Sequence, residues 1–445
     1  MRIPSIKLIV LGLAVALVGA GAAYGAWRAR PAQAPALAAR QLAAAAQQRP
    51  VDKTDQLIWD YQQRVKASPD DVQSYAVLGA AYLQKARDTG DPTFYGKAQA
   101  VADAALARDP QNVDALIVAG TLANARHQFH DALAFGARAR DLNPSVPRVY
   151  GVIADAQTEL GMYDQAIATL QTMIDMRPDL SSFSRVSYAR ELHGDLDGAI
   201  EMMQEAVQAG GPSTENSAWV RVQLGNLLFG KGDLAAAERQ YQATLALLPD
   251  YVHALAGMAR VRAAQGNTAE AAALYQRAIA RMPLPEFVIG LGELYESQGR
   301  AADAAKQYEL VRAMEQLFKA NGVDTDLELA LFDADHGSNP GATLDLARAA
   351  YARRPSVKAA DTLAWVLFRA GQPAEARRYA DEALRLGSQD ALMLFHAGMI
   401  AQASGDAAAA RQRLDQALAL NPNFSPLFAP QARQALALLE RAASK

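Results

Sequence analysis

Three short stretches of this 445-residue chain carry side chains whose types and spacing could do chemistry. Asp333-Ala-Asp335-His336-Gly337 places two carboxylates and an imidazole close together, a donor set suited to a divalent ion or to proton transfer. His127 and His130, with Asp131 beside them, have the spacing at which two imidazoles share a helix face and reach one zinc ion. Gly225-Asn-Leu-Leu-Phe-Gly230-Lys231 follows most of the G-x4-G-K-[ST] loop whose backbone N–H groups cradle phosphates. Each set lacks a part. Gly232 stands where the loop needs a hydroxyl for magnesium, and nothing nearby supplies a third or fourth ligand to either histidine set. The expectation is no catalytic residue, no cofactor and no resident metal. The alternative is an accessory metal-binding or enzymatic role centred on Asp333, Asp335 and His336.

The elements that must position these residues are set by a repeat. Pro110, Pro144 and Pro178 are 34 apart, as are Pro249 and Pro283, and a proline stops a helix because it lacks the N–H of the next ladder bond. Gly232 and Gly266, and later Gly371 and Gly405, keep the same interval at helix-to-helix turns, where left-handed backbone costs glycine little. In this register Gly225 is a helix-packing glycine, and both histidine clusters fall at turns inside a repeat. There Asp, His, Ser and Asn satisfy loose backbone groups.

The repeat resembles the tetratricopeptide family, whose pattern reads W-x2-L-G-x2-Y, then A-x3-F, then P. One copy has Tyr75, Leu78, Gly79 and Tyr82, then Ala98, Ala102, Ala105 and Pro110. Another has Leu224, Gly225, Leu228, Ala237, Tyr241 and Pro249; further copies carry Ala271, Tyr275, Ala278 and Pro283, then Leu291, Gly292, Tyr295, Gly299, Ala304 and Tyr308. About ten copies follow a half-hairpin around Tyr61 and Pro69. The resemblance implies an all-α, right-handed superhelical solenoid of about ten helical hairpins. A terminal helix from Phe424 onward, with Leu427, Phe428, Leu436 and Leu439, would cap the last apolar face.

Departures from the period divide the chain. The segment Gly210 to Asn216 lengthens one connection, and a second helix runs on to Ala320 before Asn321-Gly322. The expected divisions are a spacer at 29–55, repeat arrays at 56–209 and 210–422 with an interruption near 312–327, and a cap at 423–445. The two arrays would be bent relative to each other.

Residues 1–28 read as a membrane signal. Arg2 and Lys7 precede an apolar run from Leu8 to Trp27, whose 20 residues make a helix of about 30 Å, enough to cross a bilayer. Tyr24 and Trp27 suit the interface, with Arg28 and Arg30 beyond it. An uncleaved anchor explains the full length, while Leu8 to Val18 followed by Ala20-Gly21-Ala22 also fits a cleaved signal peptide. The expected location is the inner membrane, single-pass, with the repeats on the extracytoplasmic side; the alternative is a secreted or periplasmic protein after cleavage. Zero cysteines exclude a lipidated cysteine, a disulfide and a thiolate metal site. Net charge is −3 without a basic tract, which disfavours nucleic acid.

By the resemblance, inward positions of the first helices line a concave groove for a protein or peptide partner. Near the carboxyl end these are Lys358, Asp361, Trp365 and Phe368, then Leu392, Phe395, Met399 and Gln402, an aromatic and methionine patch fit for an apolar side chain. Earlier come Trp219, Asn226 and Phe229, with Arg260 between them and an acidic strip of Glu286, Glu293 and Glu296. The lysine and asparagine order of the dicarboxylate clamp in chaperone-tail-binding relatives is missing. The function expected is a non-catalytic interaction scaffold or assembly adaptor in the bacterial cell envelope. Self-assembly through the aromatic groove is the other alternative.

Overall fold

The computed structural model describes residues 53–211, 215–337 and 339–443. Among these the secondary structure is entirely helical, 22 helices in a tetratricopeptide-like solenoid. A lone helix α1 (Lys53–Ala67) leads into hairpins α2 (Val72–Thr89) and α3 (Thr93–Arg108), α4 (Val113–Ala125) and α5 (Phe129–Leu142), and α6 (Pro147–Glu159) and α7 (Tyr163–Met176). Then come α8 (Leu180–Leu192) and α9 (Leu196–Ala209), α10 (Glu215–Gly230) and α11 (Leu234–Leu247), and α12 (Val252–Ala264) and α13 (Thr268–Arg281). The array continues with α14 (Pro285–Ser297) and α15 (Ala301–Ala320), α16 (Asp326–His336) and α17 (Pro340–Arg353), and α18 (Val357–Arg369) and α19 (Pro373–Ala383). It finishes with α20 (Ala391–Ala403), α21 (Ala407–Leu420) and the cap α22 (Phe428–Ala443). Helix α1 starts inside the stretch expected to be spacer. The apolar run and the rest of residues 1–52 lie outside the described residues, and among the described residues no helix is long and apolar enough to cross a membrane.

Local chemistry sets several of the boundaries. Asp195, Asp233 and Asp406 accept backbone N–H bonds at the starts of α9, α11 and α21, supplying partners the first turn lacks. Gly232, Gly266, Gly371 and Gly405 hold φ between +76° and +82° at the turns. Within hairpins, small residues bring helices close: Ala98, Ala102, Ala237, Ala271 and Ala278 have no exposed surface. Gly225 and Gly257 both lie against the ring of fully buried Tyr241, where an added Cβ would come within 2.5 Å of it.

Contacts between residues almost two hundred positions apart give the array its shape. Gln128 Nε2 donates to Gly322 O (194 positions on), the Val357 N–H to the Tyr163 hydroxyl (194), Gln389 Nε2 to Gly194 O (195), and Asn421 Nδ2 to Phe229 O (192). At 34 residues per repeat, one superhelical turn takes a little under six repeats, and each turn rests on the next. An apolar cluster of Tyr163, Leu192, Val357, Ala360, Ala383 and Met393 lies across that seam. The lengthened connection after Ala209 leaves α9 packed on α10. The sparser junction is elsewhere: α15 runs 20 residues, is stopped by Asn321 and Gly322, and makes the weakest backbone contact with its successor of any consecutive pair. Val288, Val311, Met314 and Phe332 join the two sides there.

Candidate functional site

The first helices of successive hairpins turn one face towards the superhelix axis and enclose a lumen. Trp219, Gln223 and Asn226 follow helical spacing on α10, Arg260 comes from α12, and Glu286 and Glu293 stand two turns apart on α14. With His336 from α16 they bound a cavity of about 720 Å³, closed on the far side by the loop and cap around Phe424 and Phe428. A second cavity of about 660 Å³ continues past Asp155, Arg185, Tyr188 and Glu191 of α6 and α8. Both share Trp219, Asn226, Phe229, Arg260, Leu392 and Phe424, which form the waist between them.

At the waist Arg260 donates to Asn226 Oδ1 and, at 3.3 Å, to the Tyr241 hydroxyl, and its guanidinium lies 5.0 Å from the Phe229 ring centroid. Tyr241 donates to the same Asn226 oxygen at 2.8 Å. Asn226 is thus held by two donors, and among the described residues no carboxylate pairs with Arg260. Beside it the Trp219 ring is 40% exposed, which for so large an apolar side chain is a standing cost that a ligand would remove. Further along, burial pushes the His253 imidazole down to about 4 and the Tyr188 phenol up to about 12, while Arg185 forks onto Asp155 with two 2.8 Å bonds.

The acidic arm is less neutralised. Burial raises the carboxyls of Glu286 and Glu293 above their usual range. Glu286 is exposed to solvent, so the lumen wall withholds only part of its hydration. The His336 side chain is 3% exposed, stacks on Tyr308 at 4.2 Å, and makes no hydrogen bond through either ring nitrogen. Its nitrogens lie 3.4 Å from Glu293 and 3.5 Å from Glu296, contacts that are electrostatic because their alignment is poor. Glu296, nearly half exposed, accepts the Tyr308 hydroxyl at 2.7 Å and does not line either cavity.

The carboxy-terminal patch is placed differently from the expectation. Trp365 and Phe395 are 2% and 0% exposed and belong to the core of the last repeats, while Phe368 and Met399 are half-buried against it. Helices α18 and α20 are buried on nearly every face because neighbours cover both sides, polar Asp361 and Thr362 included, so helical spacing alone could not tell lumen from core. The Trp365 indole N–H donates to Asp335 Oδ1 at 2.7 Å and the ring stacks at 4.2 Å on His396, whose Nδ1 meets Asp361 at 3.0 Å. These contacts are internal. Sequence reasoning also missed Gln223, His253, Tyr188 and Phe424. The first three occupy inward helical positions that the same spacing would have found; Phe424 follows the last repeat and reaches the lumen only through the path of the chain.

The chemical candidates are corrected as well. Asp333 pairs with Arg312 at 2.8 Å, Asp335 with Trp365, and His336 faces Glu293 and Glu296, so the three side chains diverge. Among the described residues no group of three or more such side chains is arranged to hold a metal ion. His127 has left-handed backbone, φ 58°, and its Nδ1 meets Asp324 O at 2.8 Å, while His130 lies on α5. Gly225 and Gly230 are both inside α10, so the phosphate-loop spelling forms no loop.

Family models of the tetratricopeptide repeat match residues 123–189, 222–284, 258–316 and 362–423. The chain belongs to the tetratricopeptide repeat family. It is 30% identical over 253 residues to cellulose synthase operon protein C of Xanthomonas axonopodis pv. citri (strain 306); the match covers 55% of this chain and 14% of that protein, so the chain spans a small part of that relative's length. Among solved structures, it is similar to a thermophilic tetratricopeptide protein of Thermus thermophilus (22% identity, 44% of this chain, 98% of that one, TM-score 0.38). It is also similar to the human IFIT1 dimer with PPP-AAAA (17%, 75%, 82%, TM-score 0.48).

Proposed function

We propose that this repeat protein is a non-catalytic scaffold tethered in a bacterial cell envelope, its repeats on the extracytoplasmic side, seating a segment of a partner protein in the lumen while a larger complex is assembled or matured. Tetratricopeptide proteins act as protein-interaction scaffolds, and the observation that carries the reading here is the waist: an exposed Trp219 beside hydrogen-bonding Asn226 and Arg260, between two linked cavities. The Leu8–Trp27 run supports the tether. The relative named for a cellulose synthase operon supports a place beside envelope machinery.

Affinity capture from host membranes tests it, comparing the full chain with a Trp219→Ala variant. A protein retained by the first and lost from the second, with helical content and thermal midpoint unchanged, is the expected result. Equal recovery from both variants, or no protein above the mock capture, would remove the lumen from the account. Protease digestion of spheroplasts tests the topology: the repeats should be cut without lysis.

A further inference from the structure

We propose that the segment taken by the lumen is basic and extended, carrying a lysine or arginine side chain into the arm of Glu286, Glu293 and His336 and an apolar side chain onto Trp219. This rests on the scaffold reading and names the partner's chemistry.

Charge argues for it. Glu286 and Glu293 share one face of α14, and among the described residues no lysine or arginine pairs with either. The neighbouring cation on that side, Arg433, is turned to the Pro422 carbonyl at 2.8 Å. The one basic group at the waist, Arg260, is held by Asn226 and Tyr241 rather than by these carboxylates. At the other end of the lumen Asp390 adds an acidic group, Glu191 has Lys358 beside it, and Arg185 is already neutralised by Asp155.

His336, which faces Glu293 and Glu296 at 3.4 and 3.5 Å, is the second feature that points to a ligand. It is almost wholly buried, lines the cavity, and has both ring nitrogens without a hydrogen bond. A buried polar side chain left so is costly, and an ammonium or guanidinium entering the cavity would find an acceptor in a ring nitrogen of His336 as well as in Glu293. Two carboxylates on one face of α14 with no cation between them are also unfavourable, and partial burial adds to this at Glu293. A docked cation relieves that penalty, most strongly at Glu293, whose side chain is largely covered. The same field repels phosphates, so a nucleic acid strand is excluded from this lumen.

The test measures fluorescence anisotropy of a labelled peptide that alternates lysine and leucine between glycine and serine spacers. The full chain is held in detergent, and two further peptides replace lysine by glutamine or by glutamate. The lysine peptide should bind, more weakly as salt rises, and the other two at least tenfold more weakly. Glu286→Gln with Glu293→Gln should weaken the lysine peptide at least tenfold while leaving the thermal midpoint intact, and Trp219→Ala should weaken all three peptides together. Equal binding of the glutamate peptide, or an unchanged affinity in the double glutamine variant, overturns the charge assignment. If capture still yields a Trp219-dependent partner while the lysine peptide fails to bind, the scaffold survives and the basic segment does not.

Discussion

Gly194 and Gly266 occupy the same turn position in their repeats, with φ of +75° and +81°, and they separate local backbone strain from contact between superhelical turns. An alanine at either position carries the left-handed penalty, about 1 kcal/mol. At Gly266 nothing lies within 4 Å of the new Cβ, so that penalty is the whole effect. At Gly194 the Cβ would stand 2.1 Å from Gly387 O and 2.9 Å from its carbonyl carbon. Both atoms are backbone, so no rotamer change relieves the clash and the two turns must part. Parting breaks the 2.8 Å bond from Gln389 to Gly194 O, worth about 1 kcal/mol, and loosens the Tyr163–Leu192–Val357 cluster beside it, worth about another. Gly194→Ala should therefore destabilise by about 3 kcal/mol against about 1 for Gly266→Ala. Because solenoids open locally, hydrogen exchange is the decisive assay: 192–195 and 385–389 should lose protection together in Gly194→Ala and stay protected in Gly266→Ala. Equal losses in the two variants, or exchange confined to 192–195, would refute turn-on-turn packing.

Three other outcomes follow from burial and charge. Glu315 is 6% exposed with Oε2 unpartnered, and burial pushes its carboxyl up to about 7; since the folded value lies above the unfolded one, its penalty is absent below about pH 4.5 and grows as pH rises to 7. Glu315→Gln should raise the unfolding free energy from denaturant titration at pH 8, by no more than about 3 kcal/mol, and leave it unchanged at pH 4; an equal shift at both values would count against the burial of its charge. His253 shows the opposite case of a base depressed to about 4 by burial, so its contribution is present above pH 6.5 and is lost as pH falls towards 4; His253→Phe should be less acid-sensitive than wild type in that window. Trp365→Ala should cost about 3–5 kcal/mol as a core truncation, whereas Trp219→Ala should cost under about 1, and similar thermal shifts for the two would contradict their assigned places.

The hairpins were legible because their signals are local. Pro110, Pro144 and Pro178 each fall two residues past a helix end, the turn glycines take left-handed backbone where the period puts them, and the alanines of the repeat pattern are fully buried. The lumen was legible only in its middle. Trp219, Asn226, Arg260 and Glu293 keep partly exposed side chains on the cavity side of their first helices, and Phe229 both lines the cavity and belongs to the core beneath it. Trp365 and Phe395 sit on helices covered all round, and their inward register concealed that the cap's Phe428 and the neighbouring repeats had closed the space.

What the amino-acid sequence by itself determined is thus the repeating unit: a 34-residue hairpin with its turns and its packing alanines. Only the tertiary structure decided that Gly194 meets Gly387, that Asn421 reaches Phe229, and that Phe424 shares a waist with Trp219. The physical reason is accumulation. Each inter-repeat interface contributes a small rotation set by the volumes of a few packed side chains, and only their sum over nearly six repeats determines whether one turn lands on the next.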